Sequence, residues 1–239
     1  FFNCFGYHRD LHSFPTRRSS DLSCQAVEGE PLYVEEKSIM YLMARAAKQA
    51  GTPAIRTSSI RDVIAIKEET GLPVIGLVKI QYPGYEGYIT PTMKEVDDLV
   101  AAGSDVVALD CTLRKRGDGI TVNEFIAQIK EKYPDIILMA DISNYEEGIN
   151  AWKCGVDIVG TTMSGYTDYT SKKDEPDYEL MERLAKDTDI PIIGEGKIHY
   201  PDQAVKALQT GVWAIVVGGA ITRPLEIAQR FQKAIEAGK

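Results

Sequence analysis

The chain has 239 residues, of which 44% are apolar and 26% are charged. This composition is ordinary for a globular protein, and the length suits one large domain with a sizeable core. The formal net charge of −8 argues against a nucleic-acid partner, because phosphate backbones select basic surfaces. No apolar run approaches the roughly 18 residues that a transmembrane helix needs, so we expect no membrane partner.

Four cysteines and three histidines are scattered along the chain. The cysteines form no CxxC pair, and the histidines form no HxH or HxxxH pair. This spacing predicts neither a metal site nor a disulfide framework. We therefore expect a reduced, cytoplasmic protein that holds no metal.

The first 22 residues differ from the rest of the chain. Phe1–Leu22 has neither helical nor strand periodicity, and it lacks the apolar core of a secretory signal. His12–Leu22 resembles a translated sequencing-library adapter. We interpret residues 1–22 as a non-native tract and residues 23–239 as the folded domain; a disordered natural tail is the alternative. On this interpretation, Asp21 and Leu22 must replace the missing start of a first strand.

From Ser23 onwards, short runs rich in Val and Ile alternate with amphipathic segments. Apart from the strand that ends near Gln25, strands are predicted at 54–57, 72–79, 105–110, 136–141 and 157–162, and in the two apolar runs that end at Glu195 and Gly218. Helices are predicted at 35–50, 60–69, between Thr92 and Gly103, at 122–132, 145–153 and 177–186, after Lys197, and at 224–237. Capping residues, glycine stops and apolar periodicity support these bounds.

Four helix ends share one pattern, in which a glycine follows the last helical residues and precedes an apolar strand. They are Gln49-Ala-Gly51, Ala101-Ala-Gly103, Lys153-Cys-Gly155 and Gln209-Thr-Gly211. Their spacing of 52 to 56 residues is about twice the length of one strand-helix unit. Apolar strands between amphipathic helices are parallel and buried on both faces. Eight such units in one domain predict an α/β fold of the (β/α)8 TIM barrel type.

In such a barrel, all strands end at one rim, where active sites lie. A single polar residue at a strand end is usually solvated or caps a helix. Polar residues at nearly every strand end predict a functional site instead. The residues at the predicted strand ends are Gln25, Arg56, Lys79, Asp110, Asp141, Thr161, Glu195 and Gly218.

Two of these residues can exchange protons. Lys79, if buried beside Arg56, would lose its proton more easily than an ordinary lysine and could act as a base. A structural ion pair between Lys79 and Asp110 or Asp141 is the alternative. Glu195 lies between two glycines, which allow the backbone to approach a ligand, although a simple turn explains that pattern equally well.

The exits of the last two strands predict an anion site. The backbone N–H groups of Gly218 and Gly219 can hold phosphate oxygens, and Arg223 adds a positive charge with forked donors. Gly196 and Lys197 follow the seventh strand, where Lys197 either assists or is solvated. The basic run at 114–116 is a second possible anion contact, but such runs are usually solvated loops.

Several segments together resemble the N-acetylmannosamine-6-phosphate 2-epimerase family, over the whole chain from Ser23. They include Ser23-Cys-Gln-Ala26, Gly76-Leu-Val-Lys79, Met139-Ala-Asp-Ile-Ser143, Gly194-Glu-Gly196 and Val217-Gly-Gly-Ala-Ile-Thr-Arg-Pro224. The resemblance implies a (β/α)8 barrel that uses neither metal nor nicotinamide. It also implies that the substrate is a phosphorylated amino sugar, whose N-acetylmannosamine and N-acetylglucosamine forms interconvert at C2 during sialic acid breakdown.

The resemblance implies residue roles as well. Lys79 is similar to the catalytic lysine and Glu195 to its acidic partner. Three residues resemble substrate contacts, and Arg223 resembles the phosphate contact together with Gly218 and Gly219. The implied substrate contacts are Gln25, Arg56 and Asp141, to which their positions lead us to add Asp110, Gly196 and Lys197. The family habit also suggests a homodimer.

Two other functions remain open at this stage. Barrel enzymes also use strand-end lysines as nucleophiles, so a Schiff-base aldolase of a phosphorylated sugar is one alternative. The damaged first strand makes an inactive phosphosugar-binding barrel the other.

Overall fold

Eight parallel strands close into a barrel in sequence order in the computed structural model, which describes residues 19–238. The strands are β1 (Ser20–Cys24), β2 (Ile55–Ser58), β3 (Val74–Leu77), β4 (Val106–Asp110), β5 (Ile137–Asp141), β6 (Ile158–Gly160), β7 (Ile192–Glu195) and β8 (Ala214–Val217). The helices are α1 (Met40–Gln49), α2 (Ile60–Thr70), α3 (Met93–Ala101), α4 (Val122–Lys132), α5 (Tyr145–Lys153), α6 (Tyr178–Asp187), α7 (Pro201–Gln209), α8 (Gly219–Thr222) and α9 (Pro224–Ala237). The predicted single-domain (β/α)8 barrel is confirmed.

The helices begin and end where local chemistry favours it. At α4 the Thr121 hydroxyl accepts the Glu124 N–H (3.2 Å), and the Glu124 carboxylate accepts the Thr121 N–H (2.7 Å), a reciprocal pair that satisfies two otherwise free donors. The four glycines of the repeated helix ends all have positive φ, between 80° and 95°. Other residues adopt this conformation only with strain, so the repeat in the sequence reflects a backbone requirement.

Helix α1 and strand β3 differ most from their predicted bounds. Helix α1 begins at Met40 rather than at residue 35, and the Ser38 hydroxyl accepts the Met40 N–H (3.2 Å) just before its first turn. Strand β3 ends at Leu77 rather than at Lys79. Lys79 lies just beyond the strand, where it forms an isolated antiparallel bridge with Ile89.

Alternate residues of the strands belong to two separate buried clusters. One cluster lies between the sheet and the helices, and the other fills the barrel interior. The interior cluster contains Ala54, Ile75, Leu77, Val106, Ala108, Met139, Ile158, Ile193, Ala214 and Val216. This apolar interior closes the barrel below its C-terminal rim, so a ligand site can form only at the rim.

Strand β1 contributes a carboxylate to this interior. Asp21 is opposite Val216 in the register of β1 and β8 and is fully buried. Neither Asp21 carboxylate oxygen has a hydrogen-bond partner within residues 19–238. Burial, together with the nearby charge of Glu195, raises the pKa of Asp21 to about 7. The interior therefore favours the protonated acid.

The strand begins at Ser20, so Asp21 and Leu22 form part of it. The tract that we interpret as non-native thus supplies the start of β1, and its non-native origin stays a prediction. Residues 1–18, which include Cys4, His8 and His12, lie outside the described residues.

We predict that Asp21→Val stabilises the protein at pH 8 by roughly 4 kcal/mol, because about 3 pKa units separate the buried carboxyl from an unfolded one. In the wild-type protein the folded state holds this proton between about pH 4 and pH 7 while the unfolded chain has lost it. The free energy of unfolding should therefore rise as the pH falls from 7 to 4, and the variant should lack this contribution.

Urea unfolding of both proteins at pH 8 and pH 5 measures the difference. The exposed Asp168 provides the control variant Asp168→Val, which should unfold like the wild type. Equal stability of wild type and Asp21→Val at both pH values would contradict the prediction.

Candidate active site

A cleft of about 270 Å³ opens at the C-terminal ends of the strands. Nine of the eleven predicted site residues line it, so one rim of the barrel brings together residues from distant parts of the sequence. These nine are Gln25, Arg56, Lys79, Glu195, Gly196, Lys197, Gly218, Gly219 and Arg223. Within residues 19–238, no cluster of His, Cys, Asp or Glu is arranged to hold a metal ion, and no helix is long and apolar enough to cross a membrane.

A buried charge cluster forms the floor of the cleft. The Arg56 side chain is 1% exposed, and its Nη2 donates to Asp141 Oδ2 over 2.6 Å. Arg56 Nε lies 3.4 Å from Glu195 Oε1. The Thr162 hydroxyl is 2.6 Å from Asp141 Oδ1 and 3.1 Å from Glu195 Oε2. These contacts fix the Glu195 carboxylate on two sides.

Lys79 lines the same cleft without an ion-pair partner among the described residues. Burial, together with the positive charges of Arg56 and Arg223, lowers the pKa of Lys79 to about 8. The alternative of a structural ion pair is not formed, because Asp110 pairs with Arg114 and Asp141 pairs with Arg56. More of the amine is therefore neutral near pH 7 than in an ordinary lysine.

The Glu195 carboxyl is shifted in the opposite direction. Burial raises the pKa of Glu195, while the charge of Arg56 opposes the increase. The Glu195 charge also acts on the Lys79 amine, which places the two groups in one electrostatic environment. A base and an acid whose pKa values both move toward neutrality are suited to proton transfer.

Gln25 offers an unused acceptor to the cleft. Its side chain is 6% exposed, and Nε2 donates to the Ser23 hydroxyl over 2.8 Å. The amide oxygen Oε1 is buried and has no hydrogen-bond partner within the described part of the chain. Because buried polar atoms are nearly always paired, a ligand hydroxyl or amide N–H is the expected donor.

The predicted anion site lies at the end of β8. Gly218 and Gly219 lead into the short helix α8, and the Thr222 hydroxyl donates to the Ser23 carbonyl oxygen over 2.8 Å. This bond joins the turn to β1. Arg223 follows directly, with its guanidinium at the cleft. The turn therefore presents backbone N–H groups and a cation together.

Comparison with known proteins gives one consistent result. Residues 40–237 match the NanE family, described as "Putative N-acetylmannosamine-6-phosphate epimerase". A curated relative of the same description from Caldanaerobacter subterraneus subsp. tengcongensis is 55% identical over 88% of both chains, and one from Clostridioides difficile is 50% identical over 90% of this chain and 95% of its own.

The chain belongs to the NanE family. The solved structure of the N-acetylmannosamine-6-phosphate 2-epimerase from Clostridium perfringens superposes with a TM-score of 0.88 at 45% identity, over 96% of this chain and 98% of that one. The family resemblance that the sequence motifs indicate is thereby confirmed. The roles of individual residues stay predictions.

Two predicted site residues lie outside the cleft lining. Asp110 accepts from Arg114 Nη2 (2.5 Å) and from the Thr112 hydroxyl (2.5 Å), so its carboxylate is already bound within its own loop. Asp141 is fully buried below Arg56. We therefore interpret Asp141 as the residue that positions Arg56, and the substrate contacts predicted for Asp110 and Asp141 stay predictions.

The cleft also contains residues that the sequence interpretation missed, namely Tyr88, Thr162, His199 and Glu226. Thr162 directly follows Thr161, the predicted end of the sixth strand, so reasoning from strand ends could also identify Thr162. Glu226 lies inside a helix and Tyr88 inside a long loop, where strand-end reasoning gives no signal. The Lys197 ammonium lies 4.8 Å from the centre of the Tyr166 ring, which places both side chains at one wall.

We predict that the Lys79 amine titrates with a pKa of about 8, against 10.5 for an ordinary lysine, because the buried site penalises its charged form. Acetylation rates measured as a function of pH and resolved by peptide mass spectrometry would report this value. Lys233 on the exposed surface of α9 is an internal reference. Half-maximal reactivity of Lys79 at the same pH as Lys233 would contradict the prediction.

Proposed function

We propose that this protein is an N-acetylmannosamine-6-phosphate 2-epimerase, an isomerase that interconverts N-acetylmannosamine 6-phosphate and N-acetylglucosamine 6-phosphate. Family membership over most of the chain supports this function. The observation that carries it is the pair of Lys79 and Glu195, which line one cleft and share one electrostatic environment. A base and an acid in one cleft are suited to inversion of a C–H centre by proton removal and return.

The chemistry begins with the open-chain sugar, whose C2 proton is adjacent to the C1 carbonyl. A base removes this proton, and the electron pair of the C–H bond moves toward the carbonyl to give an enolate, with oxygen on C1 and the acetamido nitrogen on C2. Return of a proton to the opposite face of C2 gives the epimer and restores the carbonyl. Lys79 and Glu195 supply the base and the acid, so no proton is gained or lost overall.

The C1 oxygen of the enolate carries the developing negative charge, and cations fixed in a low-dielectric site stabilise it. Arg56 is such a cation, because Asp141 holds it in place through the 2.6 Å bond. The reaction changes configuration without net oxidation or reduction. We accordingly propose that it needs neither a nicotinamide cofactor nor a metal ion.

The phosphate group is proposed to bind at Gly218, Gly219 and Arg223. A phosphate held by backbone N–H groups and a guanidinium anchors the far end of the sugar. Anchoring at C6 leaves C1 and C2 to reach Lys79 and Glu195, and it converts proton transfer into an intramolecular event. Gln25, Gly196 and Lys197 complete the proposed substrate contacts.

We predict that Lys79→Ala abolishes epimerisation, with a loss of at least about 100-fold in kcat as for other acid-base residues. Solvent deuterium incorporation at C2, followed by NMR in deuterium oxide, measures the proton transfer directly. Binding of the phosphorylated sugar should persist, because the phosphate contacts remain. The exposed Lys186→Ala controls for loss of a surface lysine, and turnover retained in Lys79→Ala would remove Lys79 from the mechanism.

Borohydride trapping and the deuterium assay together separate the alternatives. A Schiff-base aldolase would give a stable lysine adduct when substrate and borohydride are added together. An inactive phosphosugar-binding barrel would bind the sugar without deuterium exchange. Nothing in the cleft favours either alternative over the epimerase.

We further propose that the protein is a homodimer in the cytoplasm. Cys24, Cys111 and Cys154 are free thiols, as in proteins of reducing compartments. Helix α9 has no buried residue, and Phe231 is 68% exposed. The barrel order places α9 between α7 and α1, which themselves expose Val205 and Leu42.

Exposed apolar side chains on neighbouring helices normally pack against another surface. The last helix of a barrel ordinarily covers the outside of the last and first strands, but here α9 contributes nothing to the buried core. A second copy of the chain would offer the same apolar face, as expected for a symmetric pair. We therefore assign α9 to the dimer interface.

We predict that the wild-type protein has twice the chain mass of 26.4 kDa in light scattering coupled to size-exclusion chromatography. Phe231→Glu should give the monomer mass, because two charges would be buried at the interface. Ile64→Glu changes an exposed residue of α2 and should leave the dimer intact. A dimer that survives Phe231→Glu would move the interface elsewhere.

A further inference from the structure

Two carboxylates already bind the arginine of the proposed phosphate site. Arg223 Nη1 lies 3.0 Å from Glu226 Oε1, and Arg223 Nη2 lies 3.0 Å from Glu30 Oε1. Each terminal nitrogen of the guanidinium therefore has a carboxylate partner. A phosphate that uses the same donors must replace at least one of them.

Glu226 occupies the position that a phosphate would take. Its Oε2 atom lies so close to the backbone of Gly219 that a Cβ atom at that position would overlap it. Its other oxygen accepts from Arg223. Glu226 thus contacts both parts of the proposed phosphate site, the glycine turn and the guanidinium, and it lines the cleft.

Glu30 has a different place. It comes from the loop after β1, its Oε2 accepts the Val27 N–H over 3.0 Å, and it does not line the active-site cleft. Glu30 can therefore keep its ion pair with Arg223 outside the cleft while Glu226 moves within it. The Thr222 bond to the Ser23 carbonyl keeps the adjacent turn in position.

We propose that Glu226 is a resident anion of the phosphate site, which binding of a phosphate displaces. This inference rests on the proposed function of the Gly218, Gly219 and Arg223 turn. A carboxylate and a phosphate dianion repel each other and compete for the same donors, so they do not share the site. Displacement is feasible because the Glu226 side chain is 38% exposed and can turn into solvent.

A resident carboxylate has a use in this reaction. Substrate and product carry the same phosphate, and contacts made equally to both do not lower the barrier of the chemical step. A phosphate held too tightly would delay product release, which limits many enzymes. Competition from Glu226 weakens phosphate binding while Arg223 and the glycine turn stay in place for the next substrate.

Isothermal titration of inorganic phosphate into the full chain, at constant ionic strength, tests the inference. Glu226→Gln keeps the shape of the side chain and removes its charge. The dissociation constant for phosphate should fall about fivefold, the factor expected from removing a partly exposed ion pair that competes with the ligand. The KM for N-acetylmannosamine 6-phosphate should fall with it.

Two variants serve as references. Glu236→Gln removes the same charge from the far end of α9, where Glu236 is exposed, and should bind phosphate like the wild type. Arg223→Met should bind phosphate at least about tenfold more weakly. Tighter binding is informative because a substitution that merely damaged the site would weaken binding.

The outcomes separate the inference from the function on which it rests. Phosphate affinity in Glu226→Gln that equals or falls below that of the wild type overturns the role of Glu226. If Arg223→Met also binds phosphate like the wild type, the proposed phosphate site itself is wrong. Loss of binding in Arg223→Met with unchanged binding in Glu226→Gln leaves the phosphate site standing and removes only the resident anion.

Discussion

The site depends on one buried interaction, the ion pair between Arg56 and Asp141. A guanidinium that is 1% exposed is tolerated only with a partner, because an isolated buried charge is very costly. Asp141 accepts a hydrogen bond from Arg56 Nη2 within the barrel, and Arg56 Nε faces the Glu195 carboxylate. The fixed positive charge then acts on the two titratable groups of the cleft. It disfavours the charged form of Lys79 and so lowers the pKa of that amine. It also favours the carboxylate form of Glu195 and so limits the rise in pKa that burial causes. Both groups therefore remain able to exchange protons near neutral pH.

Most of the fold follows from local sequence signals. The glycines of the repeated helix ends require positive φ, and the capping residues fix helix starts, so the order of elements could be predicted to within a few residues. The site was less accessible. The sequence predicts which residues lie at strand ends, but it does not predict which side chains bind them. Asp110 is predicted as a substrate contact, and in the structure Arg114, four residues later in the chain, binds its carboxylate. Glu226 was missed because its importance arises from tertiary contact with Arg223 and Gly219, which no spacing in the sequence reveals.

The first strand shows how much the barrel depends on backbone pairing. Asp21 places a carboxylate among the apolar side chains of the barrel interior, yet β1 pairs in register with β2 and β8. Main-chain hydrogen bonds and the outward Leu22 and Cys24 support the strand, while the inward carboxyl is accommodated in its neutral form. The polar interruption of the interior is therefore confined to one layer. The residues above it, Ser23 and Gln25, keep the positions from which they reach Thr222 and the cleft.

The phosphate end of the cleft and the proposed dimer helix are one continuous segment. Arg223 immediately precedes α9, Glu226 lies in its first turn, and the exposed Phe231 follows little more than one turn later. Whatever fixes the axis of α9 also fixes the direction from which Glu226 reaches Gly219. In the proposed dimer a second copy would supply that constraint, since α9 buries no residue against its own barrel. The competition between Glu226 and phosphate would then be set in part by the partner subunit, although each cleft is built from residues of a single chain.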